Sequence, residues 1–274
     1  MQKFEGILIC TDLDGTLLKN DKSVSSENIE AINYFKSSGG LFTFITGRMP
    51  YYSSKIYGMI EPNAPFGCIN GGGLYDHRTE EYVWHAPDFD KDIFELIECV
   101  EKNVRGIGIQ VVGYDRTYFS SENEATANFR RRTEVPNIQK YYKDVTEPIA
   151  KIVFADYNQD NIDKVDACIK SHPLSEKYSY LQSEKTLYEI LPKGMHKGTV
   201  LLKMAEILGI DKQKTVAVGD YDNDIGMLRV AGAGIAVANA SPGAKAAAKY
   251  ITVSNEEHAI AHIIADIENG KIIV

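Results

Sequence analysis

Residues 9–20, ICTDLDGTLLKN, place two aspartates directly after a run of apolar side chains. The run predicts a buried strand, and Asp12 and Asp14 stand two positions apart at its end. Because alternate residues of an extended strand point to the same side, we expect the two carboxylates to face one way. Either the pair lies in solvent as an acidic turn, or it holds a positively charged group. Polar residues at the ends of the other predicted strands decide between these alternatives.

The composition excludes several classes of protein. Hydrophobic residues make up 44% of the 274 positions, which predicts a packed core and argues against disorder. Thirty Lys and Arg against 38 Asp and Glu give a net charge of −8, which argues against nonspecific binding to nucleic acid or to an anionic membrane. Neither a membrane span nor a signal-peptide pattern is visible. We therefore expect a cytoplasmic protein with no nucleic-acid partner and no membrane partner.

The four cysteines form no CxxC motif and no close pair along the chain. Cys10 and Cys68 stand inside apolar runs that predict strands. Reduced thiols in a cytosolic protein are therefore expected, without a disulfide framework.

Strand and helix patterns alternate along the first 75 residues and again after Gly194, which predicts parallel βαβ units. The strands are almost continuously apolar, as in a sheet that is covered on both faces. The middle of the chain has an α+β pattern, without acidic strand ends. We therefore predict an α/β protein with a Rossmann-like parallel-sheet core, residues 1–83 and 191–274, and an inserted α+β domain, residues 84–190.

Polar side chains follow the predicted core strands at the carboxyl end of each strand, where ligands bind in open α/β sheets. These residues are Asp12, Asp14, Thr46, Gly47, Arg48, Asn70, Asp220, Asp222, Asn223 and Asp224. Three or four carboxylates at one edge would repel one another unless a cation lay among them. Oxygen ligands without His or Cys favour a hard ion, so the sequence predicts a Mg²⁺ site.

This arrangement is typical of phosphoryl transfer, in which a carboxylate can act as the nucleophile. The reaction requires positioning of the phosphoryl group and neutralisation of its charge. One of Asp12 and Asp14 would attack phosphorus while the other serves the leaving oxygen. Mg²⁺, Lys197 and the Thr46 hydroxyl would neutralise the charge.

Four segments, in this order, resemble the motifs of the haloacid dehalogenase superfamily. They are DLDGT at 12–16, FITGR at 44–48, KG at 197–198 and GDYDND at 219–224. With NGG at 70–72 and the inserted segment 84–190, the chain is most similar to the Cof-type sugar-phosphatase branch, which carries a C2-type cap domain. The resemblance covers the whole chain, and four ordered motifs are far more specific than DLDGT alone.

The resemblance implies a role for each matching residue. Asp12 is expected as the nucleophile and Asp14 as the general acid and base. Asp12, the backbone carbonyl of Asp14 and Asp220 are expected to bind Mg²⁺, with Asp224 as a further ligand at longer range or through water. Positions that contact phosphate are matched by Thr46, Gly47, Lys197 and Asn223. Asp222 departs mildly from the usual pattern and is expected outside the metal site, and Arg48 is left out of the site.

The expected activity is Mg²⁺-dependent hydrolysis of a small phosphorylated metabolite, such as a sugar phosphate, through an aspartyl-phosphate intermediate. Two alternatives remain open at the level of sequence. One is a phosphotransferase, such as a sugar-phosphate mutase, on the same fold. The other is a non-enzymatic protein that binds a phosphometabolite, against which the complete set Asp12, Asp14, Lys197 and Asp220 argues.

Overall fold

The computed structural model describes residues 2–274 and divides them into two compact units. One unit comprises the chain up to His85 together with His196–Val274, and the other is Ala86–Met195. The second unit is therefore an insertion into the first. Within residues 2–274, every helix is too short or too polar to cross a bilayer.

The first unit is built on a five-stranded sheet in which every neighbouring pair is parallel. Its strands are β1 (Leu8–Thr11), β2 (Leu41–Phe44), β12 (Thr215–Gly219), β13 (Ala233–Ala236) and β14 (Tyr250–Ile251), in the order β14-β13-β12-β1-β2. The two central strands, β1 and β12, are completely buried, as expected for strands with helices on both faces. The predicted parallel-sheet core is confirmed.

Six helices belong to this unit: α1 (Ser26–Ser37), α2 (Ser54–Ile60), α6 (Lys197–Leu208), α7 (Ile225–Val230), α8 (Pro242–Ala247) and α9 (Ala259–Glu268). Helix α1 begins after Ser25, whose side chain accepts a hydrogen bond from the backbone N–H of Asn28. This is the N-cap expected from the serine-rich segment. Helix α6 ends at Gly209, which adopts the left-handed conformation favoured at helix C-termini.

The third strand in the first 75 residues does not continue the parallel βαβ pattern. It forms β3 (Phe66–Cys68), which pairs with β4 (Gly73–Asp76) and β5 (Glu81–His85) in a separate antiparallel sheet. Its link to the parallel sheet is one bridge, Ile45 to Gly67, beyond the end of β2. The strand is only three residues long because the chain turns at once into the Asn70 loop, so it adds no full strand to the parallel sheet.

The second unit is an α+β fold with a six-stranded sheet in the order β10-β11-β9-β6-β7-β8. The strands are β6 (Gly108–Gly113), β7 (Thr117–Ser121), β8 (Ile138–Gln139), β9 (Ile149–Ala155), β10 (Tyr178–Glu184) and β11 (Leu187–Pro192). Its helices are α3 (Ile93–Asn103), α4 (Glu124–Thr133) and α5 (Gln159–Ser171). Only the pair β7 and β8 is parallel, and the other pairs are antiparallel.

The core of the second unit forms where α3 and α5 pack side by side against the sheet. Apolar side chains recur along both helices at helical spacing, and alternate residues of β6, β9 and β11 complete the cluster.

Elsewhere in the sheet, Lys151 and Glu189 form a buried ion pair with an Nζ to Oε2 distance of 2.9 Å. The hydroxyl of Ser183 donates a second hydrogen bond, of 2.6 Å, to Glu189.

Removing one member of this buried pair should be much more damaging than removing both. We expect Lys151→Met to lower the free energy of unfolding by about 3–5 kcal/mol, because Glu189 stays buried without the ammonium group. The double variant Lys151→Met, Glu189→Leu should recover most of that loss. Denaturant unfolding of both variants tests this, with the exposed pair of Arg131 and Glu124 as the control. Equal losses in the single and the double variant would contradict the expectation.

Candidate active site

The site begins at the carboxyl ends of the two central strands of the parallel sheet. Thr11 of β1 lies opposite Val218 of β12, so the residues that follow both strands emerge side by side. The backbone N–H of Asp12 donates a hydrogen bond of 2.8 Å to the carbonyl oxygen of Val218. Asp12 is only 7% exposed. Asp220 follows Gly219, the last residue of β12, and so stands at the corresponding end of that strand.

A buried lysine joins these strand ends. Lys197 is the first residue of α6 and is 1% exposed. Its Nζ donates to Oδ1 of Asp12 at 2.5 Å and to Oδ1 of Asp224 at 2.6 Å. Burial by itself would lower the pKa of Lys197, but the two carboxylates outweigh burial and raise it. The lysine is therefore a fixed cation at neutral pH.

Three carboxylates gather around this lysine. One carboxylate oxygen from each of Asp12, Asp220 and Asp224 lies within 4.8 Å of the others. Burial raises the pKa of Asp12, and the attraction of Lys197 only partly offsets that effect. Burial and the neighbouring Asp224 raise the pKa of Asp220 to about 6, against a hydrogen bond from Thr16 that favours the charged form. With all three acids ionised, the cluster would carry more negative charge than one lysine neutralises.

Short hydrogen bonds hold two of the acids in place. Oδ2 of the fully buried Asp224 accepts the backbone N–H groups of Asp220 at 2.9 Å and of Tyr221 at 3.1 Å. The hydroxyl of Thr16 donates to Oδ1 of Asp220 at 2.7 Å. Asp224 therefore folds the loop after β12 back on itself, while Thr16 connects that loop to the loop after β1.

Asp14 has different partners from Asp12. Arg48 donates from Nε to Oδ2 of Asp14 at 3.0 Å and from a terminal nitrogen to Oδ1 at 2.9 Å, which is a bidentate ion pair. Lys22 donates to the same Oδ1 at 2.9 Å. Burial opposes the charge of Asp14, but Arg48 and Lys22 outweigh burial and hold the pKa of Asp14 below its ordinary value. The side chain of Asp14 is 43% exposed, so it remains accessible.

A second group of polar residues surrounds the loop after β2. Thr46 is 2% exposed, and its hydroxyl oxygen accepts the backbone N–H of Arg48 at 3.2 Å. Asn223 donates to Oδ1 of Asn70 at 3.2 Å. Asn70 is 1% exposed and adopts the left-handed conformation with φ +52°. A Cβ atom at Gly47 would lie 2.9 Å from Nδ2 of Asn70, so these two loops approach closely.

Two glycines allow this close assembly of loops. Gly15 has φ +81°, and a Cβ atom there would lie 2.6 Å from Oδ2 of Asp220. Gly71 has φ +108°, and a Cβ atom there would overlap the backbone carbonyl of His196. Both positions need glycine because of the backbone conformation and because of the space available. Gly15 lets the first acidic loop approach Asp220, and Gly71 lets the Asn70 loop approach the start of α6.

Lys197 contacts Asp12 and Asp224 directly, and Asp220 lies in one cluster with these two acids. Asp14 lies two residues further along, but its side chain is engaged by Arg48 and Lys22 and is not part of the acidic cluster. Thr46, Gly47 and Asn223 lie on the adjoining loops, and Asn223 is linked through Asn70. The exposed Asp222 accepts a hydrogen bond from Ser241 and stands apart from the cluster.

Sequence reasoning missed three contributors. Arg48 stands inside the FITGR segment, but only the fold reveals its pairing with Asp14. Thr16 ends the DLDGT segment, and its partner Asp220 is distant in the chain. Asn70 was recognised as a polar residue at a strand end, but it was not assigned to the site. In each case the signal in the sequence is the position of the residue within a motif. The residue with which it pairs depends on the tertiary fold.

The donor set of the acidic cluster fits Mg²⁺. All three side chains offer carboxylate oxygens, and neither histidine nor cysteine is among them. Hard cations of this kind prefer oxygen ligands. Burial and, after it, the neighbouring carboxylates raise the pKa values of Asp12 and Asp220, and a divalent cation among these acids would favour their charged forms.

Comparison with known proteins agrees with this geometry. The sequence profile of haloacid dehalogenase-like hydrolases matches residues 9–264. A protein of Streptococcus pyogenes serotype M6, named as a candidate phosphatase, is 30% identical over 94% of this chain and 96% of its own length. A 5-amino-6-(5-phospho-D-ribitylamino)uracil phosphatase of Bacillus subtilis, YitU, is 29% identical over 94% of this chain and 96% of its own length.

A solved structure shares both the fold and the length of the chain. It is a haloacid dehalogenase-like hydrolase from Bacteroides thetaiotaomicron, with a TM-score of 0.82 and 25% identity. The alignment covers 95% of this chain and 99% of that one. The similarity therefore includes the inserted unit as well as the parallel-sheet unit.

Lys197 should be essential for the stability of the metal-free protein. We expect Lys197→Met to lower the free energy of unfolding by about 3–5 kcal/mol, because Asp12 and Asp224 would stay buried without their shared cation. Lys203 lies on the same helix but is paired only with Glu206 near the surface, so Lys203→Met should cost less than about 0.5 kcal/mol. Denaturant unfolding in metal-free buffer measures both changes. Similar losses for the two variants would contradict this interpretation of the site.

Proposed function

The chain belongs to the haloacid dehalogenase-like hydrolase family, and from that premise we propose that it hydrolyses small phosphorylated metabolites in a Mg²⁺-dependent reaction. Membership of this family, with relatives named as phosphatases, makes the chain a phosphatase. The observation that carries the finer proposal is the placement of Asp12. It is a buried carboxylate at a strand end, held by Lys197 within a cluster of oxygen donors.

Asp12 is proposed as the nucleophile. One of its carboxylate oxygens attacks phosphorus, the bond to the leaving oxygen breaks, and an aspartyl phosphate forms. Lys197 keeps Asp12 oriented and stabilises the negative charge that spreads over the phosphoryl oxygens. Mg²⁺, bound by Asp12, Asp220 and Asp224 together with the backbone carbonyl of Asp14, would supply further neutralisation of that charge.

Asp14 is proposed as the general acid and then the general base. Because Arg48 and Lys22 favour its ionised form, Asp14 would first take up a proton from water, and it then passes this proton to the leaving oxygen, which releases the alcohol. The resulting carboxylate removes a proton from water in the second step, and this water attacks the aspartyl phosphate to release phosphate and restore Asp12. Its greater exposure suits exchange with water, in contrast to the buried Asp12. Arg48 holds both oxygens of Asp14 and is proposed as a positioning residue.

Thr46, Gly47, Lys197 and Asn223 are proposed to bind the phosphoryl group. Phosphoryl transfer depends mainly on positioning and on charge stabilisation, so hydroxyl, amide and ammonium donors are suitable ligands. The buried Thr46 and the half-buried Asn223 lie on loops held together by Asn70. These loops would therefore present their donors with little loss of conformational freedom.

The substrate is proposed to be a phosphate ester of a polyhydroxy compound, such as a sugar phosphate. Support comes from the Bacillus subtilis relative, whose named substrate carries its phosphate on a ribityl chain. In this proposal the inserted unit, Ala86–Met195, acts as the cap domain that selects the leaving group. Phosphate release from a panel of sugar and polyol phosphates measures that selectivity. Uniform rates across the panel, including phosphorylated amino acids, would count against a selective cap.

The first test is release of inorganic phosphate by wild type and Asp12→Asn, with Mg²⁺ and with EDTA. We expect release only with Mg²⁺, and a loss of about 10³-fold or more in Asp12→Asn because the nucleophile is removed. Asp222→Asn is the matched control, since Asp222 has the same chemistry but is exposed and bonded to Ser241. It should keep a rate within about 2-fold of wild type.

Each outcome of this test has a distinct meaning. Release that persists in EDTA would contradict the metal dependence. Release that persists in Asp12→Asn would contradict the aspartyl-phosphate mechanism. Transfer of the phosphoryl group to a second sugar without free phosphate would replace hydrolysis by phosphotransfer.

Arg48→Gln should lower kcat by about 10–100-fold with little change in KM, because Asp14 loses its bidentate partner and its orientation. Arg78→Gln is the matched control. Arg78 also makes a bidentate ion pair, with Asp76 in the β4–β5 hairpin, away from the acidic cluster. Steady-state kinetics on the preferred substrate measure both variants. A larger effect on KM than on kcat would instead assign Arg48 to substrate binding.

A further inference from the structure

Two cysteines that are distant in the sequence come together in the inserted unit. Cys99 lies on α3 and Cys168 lies on α5, and these two helices pack side by side. Both side chains are partly exposed, while Cys168 also packs against the hydrophobic core of the unit. Sequence alone showed no close pair, since 69 positions (168 − 99) separate the two residues.

One amide group contacts both sulfur atoms. Nδ2 of Asn103 lies 3.7 Å from Sγ of Cys99 and 3.8 Å from Sγ of Cys168. The same nitrogen donates a hydrogen bond of 2.8 Å to the backbone carbonyl of Cys99, which fixes its position. Both sulfurs are therefore neighbours at one point of the α3–α5 contact.

The other two cysteines have a different environment. Cys10 and Cys68 are completely buried in the first unit. The thiol of Cys10 contacts the sulfur of Met204 at 3.7 Å, and the thiol of Cys68 donates to the carbonyl oxygen of Gly73 at 3.4 Å. Neither thiol is accessible to a reagent in solution while the protein stays folded. Only Cys99 and Cys168 combine proximity with access.

We propose that Cys99 and Cys168 form a reversible intramolecular disulfide that links α3 to α5 when the protein meets a small disulfide oxidant. The oxidant considered is a low-molecular-weight disulfide such as oxidised glutathione. The site is a place of covalent modification, separate from the acidic cluster of the first unit. It does not depend on the proposed phosphatase mechanism.

The reaction proceeds by two thiol–disulfide exchanges. In the first, the thiolate of Cys99 attacks one sulfur of the oxidant, the sulfur–sulfur bond breaks, and one glutathione leaves as a thiolate that takes up a proton. In the second, the thiolate of Cys168 attacks Sγ of Cys99, and the second glutathione leaves. Two protein thiols are oxidised and one glutathione disulfide is reduced to two thiols.

The order of attack follows from the environment of the two sulfurs. Burial and the neighbouring Cys99 raise the pKa of Cys168 to about 12, so its thiolate is scarce at neutral pH. Asn103 favours the thiolate of Cys168 by donating a hydrogen bond to it, which assists closure. Cys168 also packs against the hydrophobic core of the unit, whereas Cys99 is not among the residues of that cluster. We therefore assign the first attack to Cys99 and the slower, closing attack to Cys168.

Oxidised glutathione should reduce the number of titratable thiols in the denatured protein from four to two. Peptide mapping should find one cross-linked pair of peptides, which contain Cys99 and Cys168, and dithiothreitol should restore all four thiols. Because the bond closes a long loop of the unfolded chain, the thermal midpoint of the oxidised protein should rise by about 5 °C or more.

Four variants make the test specific. Cys99→Ser and Cys168→Ser should form no internal cross-link and should show no thermal shift. Cys68→Ala is the matched control, because it also removes one thiol but should still cross-link. Asn103→Ala should slow closure by several-fold and let the mixed disulfide with glutathione accumulate. This rate readout separates a role of Asn103 at the sulfurs from a role in helix stability.

Three results would overturn the proposal. Four free thiols after prolonged exposure to oxidised glutathione would show that the pair does not react. A stable mixed disulfide in the wild type, without closure, would show that the two sulfurs cannot reach bonding geometry. A cross-link that involves Cys10 or Cys68 would show that it arises from unfolded protein.

Discussion

The sharing of one buried ammonium group between Asp12 and Asp224 is the interaction on which the first unit depends. Lys197 connects the end of β1 with the loop after β12, and it does so from the first turn of α6. Three elements that are distant in the sequence are thereby fixed to one another. Buried charges are tolerated only when they are paired, so the strand ends and the helix start can take up few other arrangements.

The same constraint gives the site its chemical character. One lysine faces three carboxylates at a buried position, and if all three are ionised their charge exceeds that of the lysine. In the proposed mechanism Mg²⁺ would neutralise this excess. Asp14 lies outside the cluster and is paired with Arg48 and Lys22. The two aspartates therefore have different surroundings, which is consistent with the different roles proposed for them.

The inserted unit contains a different kind of polar chemistry. Its sheet buries the ion pair of Lys151 and Glu189, and its two packed helices bring Cys99 and Cys168 together. Neither the ion pair nor the pair of cysteines resembles a sequence motif, and both lie entirely within the inserted unit. The two units thus contribute separately to the protein. The first contains the acidic cluster, and the second contains a pair of packed helices on a mostly antiparallel sheet.

The parallel core and the acids at its strand ends, Asp12 and Asp220, are predicted from the sequence, because a short apolar strand that ends in an acid is a local pattern. The role proposed for Lys197 follows instead from its place in the order of the family motifs. The family and the phosphatase activity were likewise predicted from the motifs, and the comparisons confirm them. Only the tertiary structure decided the partners. The ion pair of Arg48 with Asp14, the bond from Thr16 to Asp220 and the contact of Asn103 with the sulfur of Cys168 join residues whose spacing along the chain carries no signal. Such contacts follow from how strands and helices pack, and packing depends on the whole chain.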